Sequence, residues 1–272
     1  MHSTDNFLVL GDKIAGAVHE AIKELVGSSD AGRILYTGAD GTPTKLIDDA
    51  AEKAIFKVLS EEHSSFRIIS EEAGEKIIGK SPDLTLIIDP IDGTYNASVN
   101  IPFYSLSLAI TSADLNDIVF GYVQNLANGD TFYAEACKGA YFNGQELRPS
   151  DNTDVRKLCV SVYGYRNNMQ AAANISTHVR RTRSLGSVAL DLCYVAAGKI
   201  DAFADVRGTM RITDIAAGKL ILEEAGGIVT NGNGESLKLE DQLLSRVCVI
   251  ASNGLVHESI LKLSAGVANE SK

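Results

Sequence analysis

The chain has 272 residues, of which 45% are hydrophobic, so it can fold around a substantial core, and disorder is excluded for most of its length. Its 25 Lys and Arg residues against 35 Asp and Glu residues give a formal net charge of −10 at pH 7, which repels polyanions and argues against a nucleic-acid partner. Uninterrupted apolar runs such as Leu86–Ile88 and Val247–Ala251 fall far short of the roughly 20 residues that a membrane span needs. Because no basic stretch marks a signal peptide either, we expect a cytoplasmic protein without a membrane partner.

Sequence signals for several other chemistries are missing. The four cysteines are widely spaced and form no CxxC pair, which predicts reduced thiols that are mostly buried. The five histidines have no metal-ligand spacing, and we expect them in solvated or capping positions. There is no nucleophile elbow of the serine-hydrolase type, and the glycine-rich segment Gly38–Thr44 lacks the Gly-Lys-Ser/Thr ending of a kinase-type phosphate loop.

The first half of the chain predicts two helices followed by a sheet. Apolar residues recur at steps of three and four from Phe7 to Leu25, which predicts a helix that Ser3 or Thr4 caps and Gly27 ends. Two glycines and a proline in Gly38–Thr44 indicate a loop. The elements predicted after it are a helix at Asp48–Leu59, strands at Phe66–Ile69, Leu84–Ile88, Ser105–Thr111 and Ile118–Val123, and a hairpin turn at Asn143-Gly144.

The second half alternates strands and helices, which is the pattern of an α/β domain. The polar segment Pro149–Asp154 is the most linker-like part of the chain. It divides the sequence into an N-terminal α+β domain, residues 1–150, and a C-terminal α/β domain, residues 151–272. The predicted elements of the second domain are strands at Leu158–Val162, Ile200–Val206 and Val247–Ala251, and helices at Ser187–Ala197, Thr213–Ala225 and from about Val256.

Carboxylates cluster at the ends of these predicted elements. Glu71 and Glu72 follow one strand, the segment Asp89–Thr94 follows another, and Asp48 and Asp214 each lie in the first turn of a helix. Each cluster taken alone has an ordinary structural explanation, since Asp-Gly is a common turn and the helix dipole favours an acid in the first turn. Together they indicate carboxylates that converge on one point.

The segment Asp89–Thr94 favours a metal and phosphate site. A proline-containing turn lets Asp89 and Asp92 face the same point, and Gly93 lets the backbone approach a ligand closely. Several carboxylates near one point repel one another unless divalent cations lie among them, and a set of oxygen ligands favours Mg²⁺ or Mn²⁺. The amides of Gly93 and Thr94, at the start of a predicted helix, can bind an anion. These features together indicate phosphoryl chemistry.

On these residues the chain resembles the inositol monophosphatase superfamily of Mg²⁺-dependent, lithium-sensitive phosphatases. Within it, the chain is most similar to the archaeal-type enzymes that act on both fructose 1,6-bisphosphate and inositol 1-phosphate. The resemblance runs from Gly38–Thr44 through Glu71-Glu72 and Asp89–Thr94 to Thr213–Gly218, although Thr213 stands where many relatives carry Trp. It implies a layered α-β-α-β-α sandwich of the inositol monophosphatase and fructose-1,6-bisphosphatase type, which combines the α+β and α/β classes and usually forms a homodimer.

The resemblance also implies roles for individual residues. Glu71, Asp89 and the carbonyl group of Ile91 would hold one Mg²⁺, Asp89, Asp92 and Asp214 a second, and Asp40 would help to hold a third, weaker metal ion. Thr94, hydrogen-bonded to Asp48, would orient the attacking water and accept its proton. The substrate contacts that the resemblance implies are Asp92, Gly93, Thr94, Arg183, Val188, Asp205 and Arg207, with Tyr95 and Tyr163 as further walls of the pocket.

The sequence leaves the substrate open. Arg183 and Arg207 suit a second phosphate, because a planar guanidinium group binds two oxygens at once, whereas Asp205 matches an inositol-contacting position. We therefore expect a phosphatase that hydrolyses fructose 1,6-bisphosphate and inositol 1-phosphate. The alternative on the same scaffold is a bisphosphate nucleotidase or NADP phosphatase, and an alternative of another class is a catalytically silent regulator that binds metal and phosphate.

Overall fold

The computed structural model describes residues 4–62, 64–112, 115, 117–237 and 245–266. Its helices are α1 Thr4–Ile22, α2 Leu46–Glu61, α3 Thr94–Ser98, α4 Met169–His178, α5 Val188–Ala196, α6 Ile212–Glu224 and α7 His257–Ser264. Its strands are β1 Ile34–Thr37, β2 Pro43–Lys45, β3 Phe66–Ser70, β4 Gly74–Ile78, β5 Leu84–Asp92, β6 Ser105–Ser112, β7 Ile118–Asn125, β8 Thr131–Glu135, β9 Ala140–Phe142, β10 Gln145–Glu146, β11 Cys159–Tyr163, β12 Arg181–Arg183, β13 Ala202–Met210, β14 Ile228–Asn231 and β15 Val247–Ser252. None of these described helices is both long and apolar enough to cross a membrane.

The described elements form five layers. Helices α1 and α2 cover one face of an eight-stranded sheet with the order β10-β9-β8-β7-β6-β5-β3-β4, and α5 and α6 pack together against its other face. A five-stranded sheet with the order β12-β11-β13-β15-β14 lies beyond α5 and α6, and α4 and α7 cover its outer face. The structure therefore confirms the expected α-β-α-β-α sandwich.

Helix α1 shows how the sequence pattern produces the outer layer. The apolar positions at steps of three and four, including Ile14, Val18 and Ile22, are completely or almost completely buried against α2 and the large sheet. Gly11 lies against the ring of Tyr122, where a Cβ atom would come within 2.7 Å of the ring. The helix can therefore approach the sheet closely because this position has no side chain.

Helix α6 lies in the middle layer and is buried around most of its circumference. Gly218 faces α5, where a Cβ atom would lie 2.8 Å from Leu192, and Gly121 of β7 faces the helix, where a Cβ atom would lie 2.9 Å from the carbonyl oxygen of Ala217. The core around α5 and α6 includes Ile87 from the large sheet and Val249 from the small sheet. Because this core is shared, the domain boundary at 149–154 stays a prediction.

The topology of the large sheet brings acidic residues together. Strands β3 and β5 are parallel neighbours with Ser70 opposite Ile88, so the residues that follow both strands meet at the same edge of the sheet. Between β5 and β6, Asp89 lies opposite Ser107 and Asp92 opposite Ser105, which leaves one extra residue on β5. A regular strand would point Asp89 and Asp92 to opposite faces, and this bulge removes that difference.

Several expected details differ in the structure. Pro43 and Thr44 belong to β2 rather than to a loop, since the glycine-rich segment is the tip of the β1–β2 hairpin. Strand β5 extends to Asp92 instead of ending at Ile88. The turn at Asn143-Gly144 is confirmed, with φ of 48° and 82° between β9 and β10. The first helix ends at Ile22, and the chain then turns to Gly27 at φ 70°.

The expectations for cysteine and histidine were partly wrong. Cys193 is buried, but Cys137 is exposed and Cys159 and Cys248 are half-buried, so the cysteines are not mostly buried. His257 is buried rather than solvated, with its ring nitrogens 2.9 Å from Thr230 Oγ1 and 3.1 Å from Ser252 Oγ. These two hydroxyl groups satisfy the ring inside the protein. Ser3 as a helix cap, and His2 and His63, lie outside the described residues.

Candidate active site

Three carboxylates from three elements form the centre of the site. Glu71 follows β3, Asp89 lies near the end of β5, and Asp214 lies in the first turn of α6. One oxygen from each lies within 4.8 Å of the others. Asp89 and Asp214 are buried, and the Glu71 side chain is 14% exposed. The structure thus brings together at one point carboxylates from both implied metal positions.

Burial and mutual repulsion raise the pKa of these carboxyl groups. Desolvation raises the pKa of Glu71 to about 8, although Arg211 opposes the shift. The pKa of Asp89 is raised well above its ordinary value by burial and by the charges of Glu71, Asp92 and Asp214. Carboxylates that cost free energy to ionise in this way are favourable cation ligands, because a divalent ion offsets both effects.

Glu71, Asp89 and Asp214, together called the acidic group below, have the donor chemistry of a magnesium site. Its members are all carboxylates, they are largely shielded from water, and Ile91 contributes a nearby backbone segment whose amide donates to Asp89 Oδ1 over 3.0 Å. A hard divalent cation such as Mg²⁺ or Mn²⁺ prefers oxygen ligands of this kind, whereas zinc usually takes His or Cys. The residues present therefore fit the implied metal.

Asp40 reaches this group from the tip of the β1–β2 hairpin. The hairpin backbone is fixed beside Glu71 and Glu72, because Asp40 N donates to Glu71 O over 3.3 Å and Ala39 N to Glu72 O over 3.0 Å. Asp40 is buried, and its Oδ1 accepts hydrogen bonds of 2.8 Å from both the amide and the hydroxyl of Thr42. Asp40 is therefore not a solvated turn residue, and its role toward a metal ion stays a prediction.

Arg211 lies among the carboxylates, although no motif in the sequence marks it. Its guanidinium group donates to Asp40 Oδ2 over 2.5 Å, to Glu71 Oε1, and to Asp214 Oδ1 over 2.8 Å. Its backbone amide also donates to Asp214 Oδ2, so Asp214 and Arg211 together begin α6. The signal in the sequence is an arginine three residues before an acid at a predicted helix start, which also describes many surface ion pairs.

Asp48 and Thr94, the implied catalytic pair, lie together. The Thr94 hydroxyl lies 3.1 Å from the carbonyl oxygen of Ile91 and also hydrogen-bonds the Asp48 carboxyl group. Burial raises the pKa of Asp48 to about 6, while the Thr94 hydrogen bond opposes the shift. Asp48 therefore loses its proton close to neutral pH, as suits a general base.

Glu72 and Glu52 support this region, although neither was expected to have a role. Glu72 is buried and accepts a hydrogen bond from the hydroxyl of Thr44 in β2, and burial raises its pKa to about 7. Glu52 in α2 accepts hydrogen bonds from Ser70 Oγ and from the amide of Ala73. The two carboxylates hold the hairpin and α2 against the end of β3.

Asp92 lies against the start of α5. Its Oδ2 accepts hydrogen bonds of 2.6 Å from Ser187 Oγ and from the amide of Ala189, and the amide of Val188 also binds this carboxyl group. Burial raises the pKa of Asp92 to about 6, and these hydrogen bonds oppose the shift. Val188 is buried as the first residue of α5. A role for Asp92 in holding a metal stays a prediction.

Gly93 allows the chain to turn directly from β5 into α3. Its φ is 95°, and a Cβ atom there would lie 3.0 Å from the carbonyl oxygen of Gly186 and 3.1 Å from that of Phe103. Both the left-handed conformation and this close approach require glycine. The helix that begins at Thr94 confirms the expected helix start, whereas the expected proline-containing turn is wrong, since Pro90 lies within β5.

Arg207 borders a cavity of about 410 Å³ that also contacts Tyr163, Tyr165 and Ser184. Its Nε and Nη2 donate to Asp205 Oδ2 over 2.8 and 2.6 Å, and its guanidinium carbon lies 4.9 Å from the centre of the Tyr163 ring. Asp205 is fully buried, and its Oδ1 accepts from the amide of Arg207. Asp205 therefore orients Arg207, and its contact with a substrate hydroxyl stays a prediction.

Two other implied substrate residues, Arg183 and Tyr95, do not line this cavity. Arg183 is exposed on β12, and its side chain donates to the carbonyl oxygen of Thr182 over 2.8 Å. Tyr95 is 69% exposed. Tyr163 links the cavity to the turn at Gly93 beside the acidic group. Its hydroxyl accepts a hydrogen bond of 2.5 Å from the amide of Gly186, and Gly186 packs on Gly93.

Thr213 stands at a position where the sequence departs from the family pattern. Its side chain is 1% exposed, and within the described part of the chain its hydroxyl has no hydrogen-bond partner. A buried hydroxyl without a partner costs about 1–3 kcal/mol. The departure affects packing beside Asp214 and leaves the carboxylate in place.

Comparisons with known proteins agree with this geometry. The sequence model of the inositol monophosphatase family matches residues 5–268. The fructose-1,6-bisphosphatase/inositol-1-monophosphatase of Methanothermobacter thermautotrophicus is 41% identical over 92% of this chain and 93% of its own length. The bifunctional NADP phosphatase/NAD kinase of Methanococcus maripaludis is 37% identical over 94% of this chain, but the match spans only 49% of that longer protein.

A solved structure from Pyrococcus horikoshii shows the same architecture. It belongs to a hypothetical protein described as similar to inositol-1 monophosphatase, and it superposes with a TM-score of 0.84 and 29% sequence identity. The match covers 98% of this chain and 100% of that protein. With the family match over nearly the whole sequence, the chain belongs to the inositol monophosphatase family.

Proposed function

We propose that this protein is a metal-dependent phosphoric monoester hydrolase that acts on fructose 1,6-bisphosphate and inositol 1-phosphate. The observation that carries the proposal is the group of Glu71, Asp89 and Asp214, whose oxygens lie within 4.8 Å of one another. Enzymes of this family are metal-dependent. The relative at 41% identity is named for both activities.

In this proposal each acidic residue has a role toward the metal. Glu71, Asp89 and the Ile91 carbonyl group hold one Mg²⁺, Asp89, Asp92 and Asp214 hold another, and Asp40 contributes to a third position. A bound divalent cation supplies Lewis-acid activation of water and stabilises negative charge on the ester oxygen. Mn²⁺ substitutes for Mg²⁺ because both prefer oxygen ligands, and Li⁺ inhibits.

Asp48 and Thr94 handle the proton of the attacking water. The Thr94 hydroxyl, beside the Ile91 carbonyl group, orients the water, and the Asp48 carboxylate accepts the proton through that hydroxyl. Because the pKa of Asp48 is about 6, it is a base above that pH and an acid below it. The amides at Gly93 and Thr94 bind the phosphate oxygens.

Arg207 selects the part of the substrate beyond the scissile phosphate. Asp205 and the Tyr163 ring hold its guanidinium group at the wall of the 410 Å³ cavity. A second phosphate group fits this position, since the guanidinium group retains donors for two oxygens. Arg183 is a weaker candidate because its side chain is exposed and bonded to its own strand.

A second candidate function is the removal of a phosphate from NADP or a nucleoside bisphosphate. The observation in its favour is Tyr165, which borders the same cavity with a side chain that is 58% exposed. Such a ring can stack on a base. The relatives named for NADP phosphatase activity match this chain over only half of their length. A homodimer and a cytoplasmic location remain further proposals.

The test is phosphate release from fructose 1,6-bisphosphate, inositol 1-phosphate, NADP and adenosine 3′,5′-bisphosphate, with Mg²⁺ and with EDTA. We expect Mg²⁺-dependent release from the first two substrates, and Asp89→Asn should abolish it. Arg207→Gln should reduce hydrolysis of fructose 1,6-bisphosphate far more than hydrolysis of inositol 1-phosphate, which has no second phosphate. Release from a nucleotide alone would replace the substrate assignment, and no release from any of the four would favour a silent regulator.

A further inference from the structure

Arg211 differs from the surface arginines in its surroundings. Its side chain is 17% exposed, whereas those of Arg148 and Arg156 are 81% and 85% exposed. Its guanidinium group bonds carboxylates from three separate parts of the chain, namely Asp40, Glu71 and Asp214. An arginine that pairs with several largely buried carboxylates offsets their negative charge in a place that water does not reach.

Two of the three carboxylates that Arg211 binds, Glu71 and Asp214, are also members of the acidic group. Arg211 Nη1 donates to Glu71 Oε1, and Nε and Nη2 donate to Asp214 Oδ1 over 3.1 and 2.8 Å. The oxygens of Glu71, Asp214 and Asp89 lie within 4.8 Å of one another. A guanidinium group and a divalent cation within this space repel each other and use the same oxygens.

We propose that the Arg211 guanidinium group is the resident cation of the metal centre: it holds Glu71 and Asp214 together when no metal is bound, and it must leave them when a divalent cation binds. Metal binding is then an exchange of one cation for another. Arg211 stabilises the metal-free protein and lowers the affinity for Mg²⁺. The proposal rests on the proposed function only in requiring that the protein bind Mg²⁺.

This exchange predicts opposite effects from one substitution. Arg211→Gln removes the charge and keeps a side chain of similar reach. The metal-free variant should unfold at a lower temperature than the wild type, because Glu71 and Asp214 lose their counterion and Asp40 keeps only the longer ion pair with Arg246, at 3.8 Å. Its dissociation constant for Mg²⁺ should fall by about tenfold or more, the order that follows from losing charge-assisted hydrogen bonds that compete with the metal. A residue that merely supported the folded site would instead weaken Mg²⁺ binding when removed.

The experiment is calorimetric titration of Mg²⁺ into the full-length, metal-free wild type, Arg211→Gln and Lys219→Gln, each with its unfolding temperature measured in EDTA. Lys219→Gln is the matched control, since Lys219 lies on α6 and pairs with Glu223, and it removes one positive charge without touching the acidic group. We expect tighter Mg²⁺ binding in Arg211→Gln alone. Unchanged or weaker Mg²⁺ binding in that variant would overturn the proposal.

A second variant covers the case in which Arg211→Gln does not fold. Arg211→Lys keeps a positive charge but has neither the planar fork nor the five donors of arginine, so it binds fewer of the carboxylates at once. Its Mg²⁺ affinity should exceed that of the wild type, and an equal or lower affinity would overturn the proposal. If the wild type itself binds no Mg²⁺, the proposed metal-dependent function fails. If the wild type binds Mg²⁺ and neither variant binds it more tightly, only the role of Arg211 fails, so the two failures are distinguishable.

Discussion

The hydroxyl group of Thr213 is buried beside Asp214 without a hydrogen-bond partner among the described residues. Valine has nearly the same shape and lacks the hydroxyl, so Thr213→Val should stabilise the protein by about 1 kcal/mol. Urea unfolding in EDTA measures the change, and Mg²⁺-dependent phosphate release should stay within the range of the wild type. A loss of stability in Thr213→Val would mean that the hydroxyl is satisfied in solution.

Asp191 predicts a pH dependence of stability. It is fully buried in α5 and accepts a hydrogen bond of 2.8 Å from the Tyr163 hydroxyl, and burial raises its pKa from 3.8 to about 8. Between these two values the folded protein holds a proton that the unfolded chain releases. Folding is therefore favoured at low pH, and this stability is lost as the pH rises from about 4 to 8, by about 1.4 kcal/mol for each pKa unit.

Urea unfolding of the metal-free protein at pH 5 and pH 8 measures this dependence. The wild type should be less stable at pH 8, and Asp191→Asn should lose part of that difference because an amide does not ionise. The part that remains belongs to the other buried carboxyl groups, such as Glu72 with its pKa of about 7. The same pH dependence in both proteins would show that Asp191 does not titrate in this range.

At the scale of single residues, the sequence could predict the carboxylates but not their counterion. Asp89, Asp92 and Asp214 stand at strand and helix ends in a family pattern, which predicts convergence. Arg211 has no such pattern, because an arginine and an acid three residues apart form surface pairs on any helix. Its role depends on Asp40 and Glu71, which are 171 and 140 residues away along the chain. Only the folded arrangement brings these groups together.

The turn between β5 and α3 makes a prediction at the scale of secondary structure. Gly93→Ala introduces a Cβ atom about 3 Å from two carbonyl oxygens at a φ of 95°, so it should lower the free energy of unfolding by more than 1 kcal/mol and reduce phosphate release. Gly129→Ala is the control, since Gly129 has a φ of 79° and no atom within 4 Å of an added Cβ atom. It tests backbone strain alone. Equal losses in both variants would contradict a close approach at Gly93.

Elements with a strong apolar period were predictable, and elements without one were not. Helix α1 buries a regular face, and the sequence indicated it from Phe7 onward. Helix α4 has only two buried residues, Ala172 and Ile175, and no apolar period marks it. Strand β4 exposes Glu75, Lys76 and Ile77 at the edge of the large sheet, so its pairing with β3, rather than its composition, makes it a strand.

At the scale of the whole molecule, Mg²⁺ should stabilise the fold. Its proposed ligands come from α6, from the ends of two strands of the large sheet and from the β1–β2 hairpin, so they converge only in the folded protein. A ligand that binds only the folded state raises the free energy of unfolding by about 2.7 kcal/mol at 100 times its dissociation constant. The unfolding temperature should therefore be higher in Mg²⁺ than in EDTA.

Asp89→Asn is the control for this effect. The unfolding temperature of this variant should not increase with Mg²⁺. In EDTA the variant should be at least as stable as the wild type, because the substitution removes a buried carboxyl group whose pKa is strongly raised. An equal Mg²⁺ effect in the variant and the wild type would place the metal elsewhere.

The two sheets contribute to the site in different ways. The large sheet ends in Glu71, Asp89 and the turn at Gly93, whereas the cavity wall comes from residues of the small-sheet half, including Tyr163, Ser184 and Arg207. Apart from Asp214 on α6, the proposed hydrolytic residues and the proposed selectivity residues therefore lie on separate structural supports, joined by the contact between Gly93 and Gly186. If Arg207 selects the substrate as proposed, a redesign of β13 and the loop after β11 should exchange one phosphorylated substrate for another while the acidic residues stay in place.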